Sequence, residues 1–246
     1  MAVYRINKGE KFLGRSYCDY CHKKLESIEL IPIVSYLLFK GRCRKCHKKL
    51  PLIYPFVELI SGLSGLLAFN LSLPYLTNGL DFLLSFIVVF GFCEFLLFFA
   101  VYDLQFWELD LLSLKVAIIF GLLLNILSLV RPLPFLTDPL GNFSAAVILA
   151  GIIFLVVLLT NGAGMGEGDI YLFAFVGLFV GIDGLLIAFL ITVISGSVVG
   201  LVKALQLRKF KGVMIQFAPF IAFGAFITFI FKAQILQLIE SFFWLP

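Results

Sequence analysis

Two aspartates at the ends of hydrophobic segments have the chemistry needed for hydrolysis. Asp103 ends one apolar segment, and Asp169 closes the glycine-rich run Gly166-Glu-Gly-Asp169 before another. A carboxylate at the mouth of a membrane helix is costly, which favours a functional role. Two carboxylates held close together share one proton, so the ionised group can activate water while the protonated group polarises a carbonyl. The pair therefore predicts hydrolysis of a peptide bond, with either carboxylate as the base.

Both aspartates also have structural interpretations. Asp169 could be a helix N-cap, a position that aspartate favours, and Asp103 could be exposed at the membrane interface. Asp110, seven residues after Asp103, is either an alternative to it or the cap of the next helix. The glycines before Asp169 allow a tight bend and the close approach of another group. This combination favours catalysis by Asp103 and Asp169.

Three other acids have weaker assignments. Glu94 lies nine residues before Asp103, about 13 Å deeper along a helix, and we expect it to be a neutral, hydrogen-bonded residue facing the bundle interior. Glu58 could face the active site or mark the membrane interface. Asp183 is expected on the opposite side of the membrane, without a role.

Four cysteines in two Cys-x-x-Cys pairs predict a structural zinc site. The pairs are Cys18/Cys21 and Cys43/Cys46, with 21 residues between them, slightly more than the roughly 15–20 usual in zinc ribbons. Four thiolates complete a tetrahedral shell and leave no open position for catalysis. The alternative is two redox-active or free thiol pairs. His22 and His47 follow the pairs as solvated neighbours, and Cys93 is a small core residue.

The composition is that of a polytopic membrane protein. Of 246 residues, 61% are hydrophobic and only 14% are charged, against about half and a quarter in soluble domains. The mean hydropathy is +1.08. These values exclude an ordinary soluble domain and predict an all-α bundle of transmembrane helices.

The apolar segments divide the chain into two regions. Residues 1–50 form a soluble zinc-binding module, and residues 51–246 form the transmembrane domain. A spanning helix needs roughly 20 apolar residues, and the fifth segment is short enough to be a partial span or to fuse with the sixth. The seven predicted spans are about 52–73, 80–102, 111–130, 143–160, 170–181, 184–205 and 217–238.

The distribution of Lys and Arg residues predicts the orientation of the chain in the membrane. Residues 1–50 contain 12 of the 19 Lys and Arg residues, which places this region in the cytoplasm. Alternating the spans puts the basic stretch from Lys203 to Lys211 inside and leaves Arg131 as an exception outside. Asp103 and Asp169 then share the cytoplasmic face.

Five sequence pieces, taken together, resemble the prepilin peptidases, also called type IV leader peptidases, of the GxGD membrane aspartic proteases. The resemblance extends from about residue 3 to residue 224. Its pieces occur in family order: the two cysteine pairs bracketing Glu29-Leu-Ile-Pro-Ile-Val-Ser35, then Tyr54-Pro-x-x-Glu58, Asp103 and its surroundings, Gly166-x-Gly-Asp169, and Gln216-Phe-Ala-Pro-Phe220.

The resemblance implies a specific activity. Family members remove a short basic leader from prepilin or pseudopilin substrates at the cytoplasmic face of the inner (plasma) membrane. Many then methylate the new N-terminal amine with S-adenosylmethionine. A nucleic-acid partner is not expected.

Several positions depart from the family pattern. Family members usually begin with a membrane helix that is followed by a short junction segment. The first residues here resemble the end of that segment. The resemblance therefore implies eight spans, whereas this sequence predicts seven. The other departures bear on substrate preference rather than on the reaction: Glu29 for Asp, Leu109-Asp110 for Pro-Asp, Tyr171 for Lys, and Gln216 and Ala218 in the late motif.

Two alternatives remain open at the level of sequence. The first is a different GxGD protease, of the signal peptide peptidase or preflagellin kind, against which the cysteine pairs argue. The second is a membrane transporter with acidic gating residues and a structural zinc module. Transporters tend to keep charges at the midplane and to contain internal repeats, whereas the acids here lie at helix ends.

Overall fold

The computed structural model describes residues 6–7, 14–162, 165–208 and 214–243, the last two without their side chains. Expectations for residues 1–5, for positions 163–164 of the glycine-rich run, and for Lys209 and Lys211 lie outside the described residues.

The described residues form an all-helical protein, as the sequence predicts, with no β-strand beyond isolated bridges. Within these described ranges, six helices are long and apolar enough to cross a membrane. A 3-10 turn at Ser27–Leu30 precedes α1, and another at Leu73–Tyr75 follows α2. The α-helices are α1 (Val34–Leu38), α2 (Ile53–Ser72), α3 (Gly79–Phe106), α4 (Leu111–Val130), α5 (Pro139–Thr160), α6 (Glu167–Leu207) and α7 (Ala218–Phe243).

Polar side chains fix the starts of three spanning helices. Asn78 caps α3, Asp110 caps α4 by accepting from the Ser113 N–H at 2.7 Å, and Asp138 caps α5. These side chains satisfy backbone donors that have no partner inside the helix. Asp110 is therefore a cap, the second of the two roles considered for it.

Helix α6 folds back on itself at Gly181. The rings of Phe173 and Phe189 lie 6.3 Å apart, whereas 16 residues of straight helix would separate them by about 24 Å. The first arm, residues 167–180, is about 21 Å long and thus shorter than a bilayer core. The second arm, residues 182–207, returns to the starting side. The two arms correspond to the predicted spans 170–181 and 184–205, and with the other five long helices they give seven crossing segments.

Glycine is required at this hinge. Gly181 has φ 72° and ψ 178°, a region essentially limited to glycine. Asn125 donates to the carbonyl of Leu178 at 3.0 Å, and Lys232 donates to the carbonyl of Val180 at 3.1 Å. These bonds satisfy carbonyls that the broken helix leaves without intrahelical partners.

The first arm of α6 lies at the centre of the bundle, because α6 packs against α4, α5 and α7. Small residues allow these close approaches, as is usual in membrane helices. A Cβ on Gly177 would lie 2.4 Å from the backbone of Ala146 in α5, and one on Gly224 of α7 would lie 2.4 Å from Thr192. Stacked rings such as Phe92 and Phe179, 4.5 Å apart, fill the remaining core.

Helix α2 packs mainly on α3, at the edge of the bundle. Glu94 of α3 accepts hydrogen bonds from Ser61 at 3.0 Å and Ser64 at 2.6 Å. Glu94 is hydrogen-bonded as expected, but it faces α2 rather than the bundle interior. Polar contacts between helices can hold a peripheral helix in lipid, where the hydrophobic effect provides little attraction.

Candidate active site and zinc site

Asp103 lies in the last turn of α3, which ends at Phe106, four residues later than predicted. The helix ends in a left-handed cap at Trp107, whose N–H donates to the Asp103 carbonyl at 2.9 Å. The side chain of Asp103 is only 8% exposed, so the interpretation as an exposed interfacial carboxylate is wrong. Its Oδ2 accepts the backbone N–H of Ala218 at 3.1 Å, and Gln216 donates to its carbonyl.

Asp169 lies in the first turn of α6 and is also 8% exposed. The N-cap position is occupied by Gly166, which corrects the interpretation of Asp169 as the cap. Its Oδ2 accepts the Gly166 N–H at 3.0 Å, and its own N–H donates to the Gly166 carbonyl at 3.1 Å. This reciprocal bonding fixes the carboxylate at the start of the helix.

The two aspartates meet at one end of the bundle. The segment after Asp103 lies against the segment that carries Asp169, because Leu109 is next to Gly168, although the two aspartates come from different helices and are 66 positions apart in the chain. Each carboxylate is anchored to a backbone N–H at the start of a helix, of α7 for Asp103 and of α6 for Asp169. Helix N-termini carry partial positive charge, which offsets part of the cost of burying a carboxylate there.

Gly168 allows this convergence. A Cβ at this position would lie 2.9 Å from the Cβ of Leu109, in the loop between α3 and α4. The second glycine of the motif therefore leaves room for the loop that follows Asp103. The expectation that glycine permits a close approach near Asp169 is confirmed here. The late motif singles out the stretch that contains Gln216 and Ala218. The sequence alone does not show that these two residues contact Asp103.

The four cysteines form one cluster at the same end of the molecule. Their sulfur atoms all lie within 4.8 Å of one another. The Cys18–Cys46 and Cys21–Cys43 sulfur pairs are each 3.9 Å apart. Four thiolates about 2.3 Å from a tetrahedral zinc ion would be about 3.8 Å apart. The donor set and its spacing therefore fit zinc, and both neighbouring histidines are exposed and outside the cluster.

The zinc module is built from a repeat that the sequence analysis missed. The pattern Cys-x-x-Cys-His-Lys-Lys-Leu occurs at residues 18–25 and again at 43–50. In both copies the histidine N–H donates to the carbonyl of the first cysteine, at 2.9 and 3.0 Å. The N–H of that cysteine donates to the carbonyl of the first lysine, at 2.9 and 3.1 Å. Both histidines have positive φ, 52° and 56°.

Two hydrogen bonds fasten this module to α2. The Tyr54 hydroxyl donates to Asp19 Oδ2 at 2.6 Å, and the Ile33 N–H donates to Glu58 Oε2 at 2.8 Å. Glu58 therefore faces the module rather than the aspartate pair. Because Tyr54 and Glu58 are one turn apart on α2, the Tyr-Pro-x-x-Glu spacing places both side chains towards the module.

Comparison with known proteins agrees with the ordered motifs. Two family models match the chain: Bacterial Peptidase A24 N-terminal domain over residues 1–71 and Type IV leader peptidase family over residues 90–201. A protein of Bacillus subtilis (strain 168) named prepilin leader peptidase/N-methyltransferase is 33% identical over 230 residues, covering 91% of this chain and 84% of that protein. This chain belongs to the type IV leader peptidase family.

Other members of the type IV leader peptidase family extend the match. Relatives of the same name from Neisseria gonorrhoeae and Burkholderia pseudomallei (strain K96243) are 31% and 32% identical, covering 87% and 88% of this chain and 70% and 67% of those proteins. No solved structure gives a significant match to the chain. The resemblance found in the sequence is thus confirmed, and the chain is a multi-pass membrane peptidase rather than a transporter.

Proposed function

We propose that this protein is a membrane aspartic endopeptidase that removes the basic leader from prepilin-like or pseudopilin substrates. We also propose that it then methylates the new N-terminus with S-adenosylmethionine. Family membership and the printed name of the relatives support the two reactions. The observation that carries the peptidase mechanism is the convergence of two buried carboxylates, Asp103 and Asp169, at one end of the bundle.

The proposed hydrolysis uses the pair with one shared proton. The ionised carboxylate takes a proton from water, and the resulting hydroxide adds to the scissile carbonyl carbon. The protonated carboxylic acid donates a hydrogen bond to the carbonyl oxygen. The C–N bond then breaks, and the leaving amine takes a proton from the pair. Anchoring by the N–H groups of Ala218 and Gly166 holds both carboxylates in place, so little reorganisation is needed during the reaction.

We assign the aspartate end to the cytoplasmic face of the inner (plasma) membrane. The basic module lies at this end, and Lys203 donates to the carbonyl of Met214 while its ammonium lies 5.2 Å from the centre of the Trp107 ring. The opposite end has a charge pair, Arg131 with Asp81, at 2.6 Å. A single arginine outside still leaves the excess of Lys and Arg at the aspartate end, which is what the positive-inside rule concerns.

Zinc and S-adenosylmethionine are the proposed cofactors. Cys18, Cys21, Cys43 and Cys46 would hold zinc, which would staple the module of residues 1–50 beside the peptidase domain of residues 51–246. S-Adenosylmethionine would supply the methyl group. The partners are the prepilin-like substrate and the bilayer.

Conservative replacement of each aspartate tests the peptidase mechanism. Asp103→Asn and Asp169→Asn should each lower the rate of leader removal by about 100-fold or more, because an amide cannot transfer the proton. The rate is measured by the change in prepilin mobility on gels. Asp110→Asn is the matched control, since asparagine caps a helix as well as aspartate does. Rapid cleavage by either dyad variant would refute the mechanism.

A further inference from the structure

The second of the two cysteine turns is strongly basic. Six of the ten residues from 40 to 49 are Lys or Arg and none is acidic, and we call this segment the basic turn. All six of these side chains are exposed. A zinc ion bound by four thiolates leaves only about two negative charges. The metal site therefore accounts for only a minor part of this positive charge.

The first copy of the repeat shows that the metal fold does not need such charge. Positions 42, 44 and 45 are basic in the second copy, whereas the matching residues of the first copy are Tyr17, Asp19 and Tyr20. Both copies nevertheless form the same backbone hydrogen bonds. The basic residues of the second copy therefore serve a purpose other than folding around zinc.

Two of these cations are held side by side. Arg42 and Lys49 form an antiparallel β-bridge, and like charges directly opposite each other in such a pair are destabilising. Within the described residues, neither side chain forms a salt bridge. In the first copy the bridge joins Tyr17 to Lys24 and so carries one charge instead of two. An anion between Arg42 and Lys49 would remove the repulsion.

The paired cations line an open cavity of about 420 Å³, a volume typical of small-molecule sites. Its wall also includes Lys40 and Arg44, and none of the described residues that line it is acidic. Arg44 already bonds Glu26 at 3.0 Å. The charges available to a ligand are therefore those of Lys40, Arg42 and Lys49, which suit a phosphate group.

Helix α1, which leads into the basic turn, lies at the level of the membrane surface. The Ile33 N–H at its start donates to Glu58, which is five residues into α2 and thus about 7.5 Å along its axis. The spanning segment Ile53–Tyr75 has 23 residues and is about 34 Å long, whereas the hydrocarbon core is about 30 Å thick. The start of α1 is therefore at the boundary between headgroups and acyl chains.

The side chains of α1 and of the turn before it are largely apolar and uncovered. None of the α1 residues is buried, and Leu37 and Leu38 are 70% and 60% exposed. Leu30, Ile31 and Val34 are exposed as well. An apolar surface beside basic residues is typical of segments that lie in the membrane interface. At this depth, acyl chains would cover it.

We propose that α1 and the basic turn dock on the bilayer and bind the headgroup of an anionic phospholipid. Arg42 and Lys49 hold the phosphate between them, and Lys40 adds charge at the end of α1. Leu37 and Leu38 insert among the acyl chains. The excess of positive charge selects anionic over zwitterionic lipids. Neither of the proposed reactions uses these residues, so this surface is tested apart from them.

Lipid binding by the full-length protein in detergent tests the headgroup site. Arg42→Tyr installs the residue of the first copy, and Lys49→Gln removes the neighbouring charge. We expect each to raise the Kd for short-chain phosphatidylglycerol about fivefold, and the double variant about 30-fold, because one cation near an anionic surface contributes roughly fivefold in affinity. The measurement is microscale thermophoresis. Lys24→Gln, at the matching position of the first copy, is the control and should bind as the parent does.

Hydrogen exchange in nanodiscs tests the docking of α1. Discs of phosphatidylcholine alone are compared with discs that also contain phosphatidylglycerol. We expect the amides of residues 34–40 to exchange more slowly in the anionic discs, in the parent and in Lys24→Gln. The double variant should show no such difference. Leu37→Gln combined with Leu38→Gln should speed exchange in both kinds of disc. Zinc content and thermal unfolding show whether each variant is folded.

Three outcomes would overturn the proposal. The first is unchanged phosphatidylglycerol binding by the folded double variant, which would remove the headgroup site. The second is equal affinity of the parent for soluble glycerol phosphate, because the acyl chains would then contribute nothing. The third is exchange in residues 34–40 that is the same in both kinds of disc and insensitive to the leucine substitutions, which would place α1 away from the bilayer.

Discussion

At the residue scale, the two glycines of the Gly-x-Gly-Asp motif differ in the space available for a side chain. A side chain on Gly168 would collide with Leu109, whereas a Cβ on Gly166 would have only Asp169 Oδ2 within 4 Å, at 3.9 Å. Substitution by alanine should therefore have different effects at the two positions, although they belong to one motif and flank a single residue.

Alanine at the two glycines should separate their roles. Gly168→Ala overpacks the contact with Leu109, at a cost of about 1–3 kcal/mol, and displaces Asp169 from Asp103. We expect a large loss of leader removal, measured by gel mobility. Gly166→Ala, which keeps the N–H that binds Asp169, should lose much less.

A second substitution checks the cause. Leu109→Gly removes the atoms that a Cβ at Gly168 would meet and should restore part of the activity of Gly168→Ala. Equal losses for the two alanine variants, with no rescue, would show that the contact with Leu109 does not set the geometry.

Sequence reasoning succeeded in bringing the four cysteines together, because two Cys-x-x-Cys pairs have few structural interpretations. It failed for Glu94, because a helical sequence gives the depth of a side chain but not the neighbouring helix it faces. The N-cap at Gly166 was missed because Asp169 acts three residues into the helix and reaches back to bind the cap.

At the element scale, the fold of α6 depends on its hinge. The first arm places Asp169 at its start, and the bonds from Asn125 and Lys232 hold its other end. The sequence predicted a break near Gly181 from glycine spacing alone. It left open whether the segments fuse or separate, because the direction of the chain after the break is set by packing against α5 and α7.

Gly181→Ala should destabilise the protein. A side chain there is strained by the positive φ, at about 1–3 kcal/mol, and its Cβ would lie 2.6 Å from Asn142 Oδ1. We expect a lower melting temperature in detergent and weaker peptidase activity. Gly151→Ala in α5 is the control, since its Cβ would meet nothing within 4 Å. A melting temperature equal to that of the control would contradict the role assigned to the hinge.

The zinc module is an element whose folding should depend on metal. We expect one zinc ion per chain by elemental analysis, and Cys43→Ser should lower this stoichiometry, because a three-thiolate site binds zinc less tightly. Limited proteolysis between residues 14 and 50 should then become faster. Cys93→Ser, in α3 and outside the cluster, is the control. Full-length protein with four reduced cysteines and no metal would refute the site.

At the scale of the whole molecule, the topology places Asp103, Asp169 and the four cysteines at one end of the bundle. The described residues form six helices long enough to span a membrane, and the kink at Gly181 divides one of them into two arms, so the predicted count of seven segments is roughly matched. Without this reversal, Lys203 of the second arm could not lie against Trp107, and the start of α7 could not lie beside Asp103.

Site-directed labelling tests this orientation. Glu108 and Asp183 are both exposed, and they lie at opposite ends of the bundle. A membrane-impermeant maleimide should label Asp183→Cys in sealed right-side-out vesicles and Glu108→Cys only in inverted vesicles. The unsubstituted protein measures the background from its own cysteines. The reverse pattern would place the aspartate pair outside and exclude cytoplasmic processing.

The duplicated cysteine turns join the two ends of the segment that carries Ile33, whose φ of 61° is strained for a β-branched residue. Zinc bound at their junction would close this loop and would thereby hold a backbone conformation that the free segment would not keep. A molecule that fits against this segment and a metal that closes the loop stabilise the same state. By thermodynamic reciprocity, a ligand that binds the closed form of this loop more tightly should raise the affinity for zinc, and zinc should raise the affinity for that ligand by the same factor.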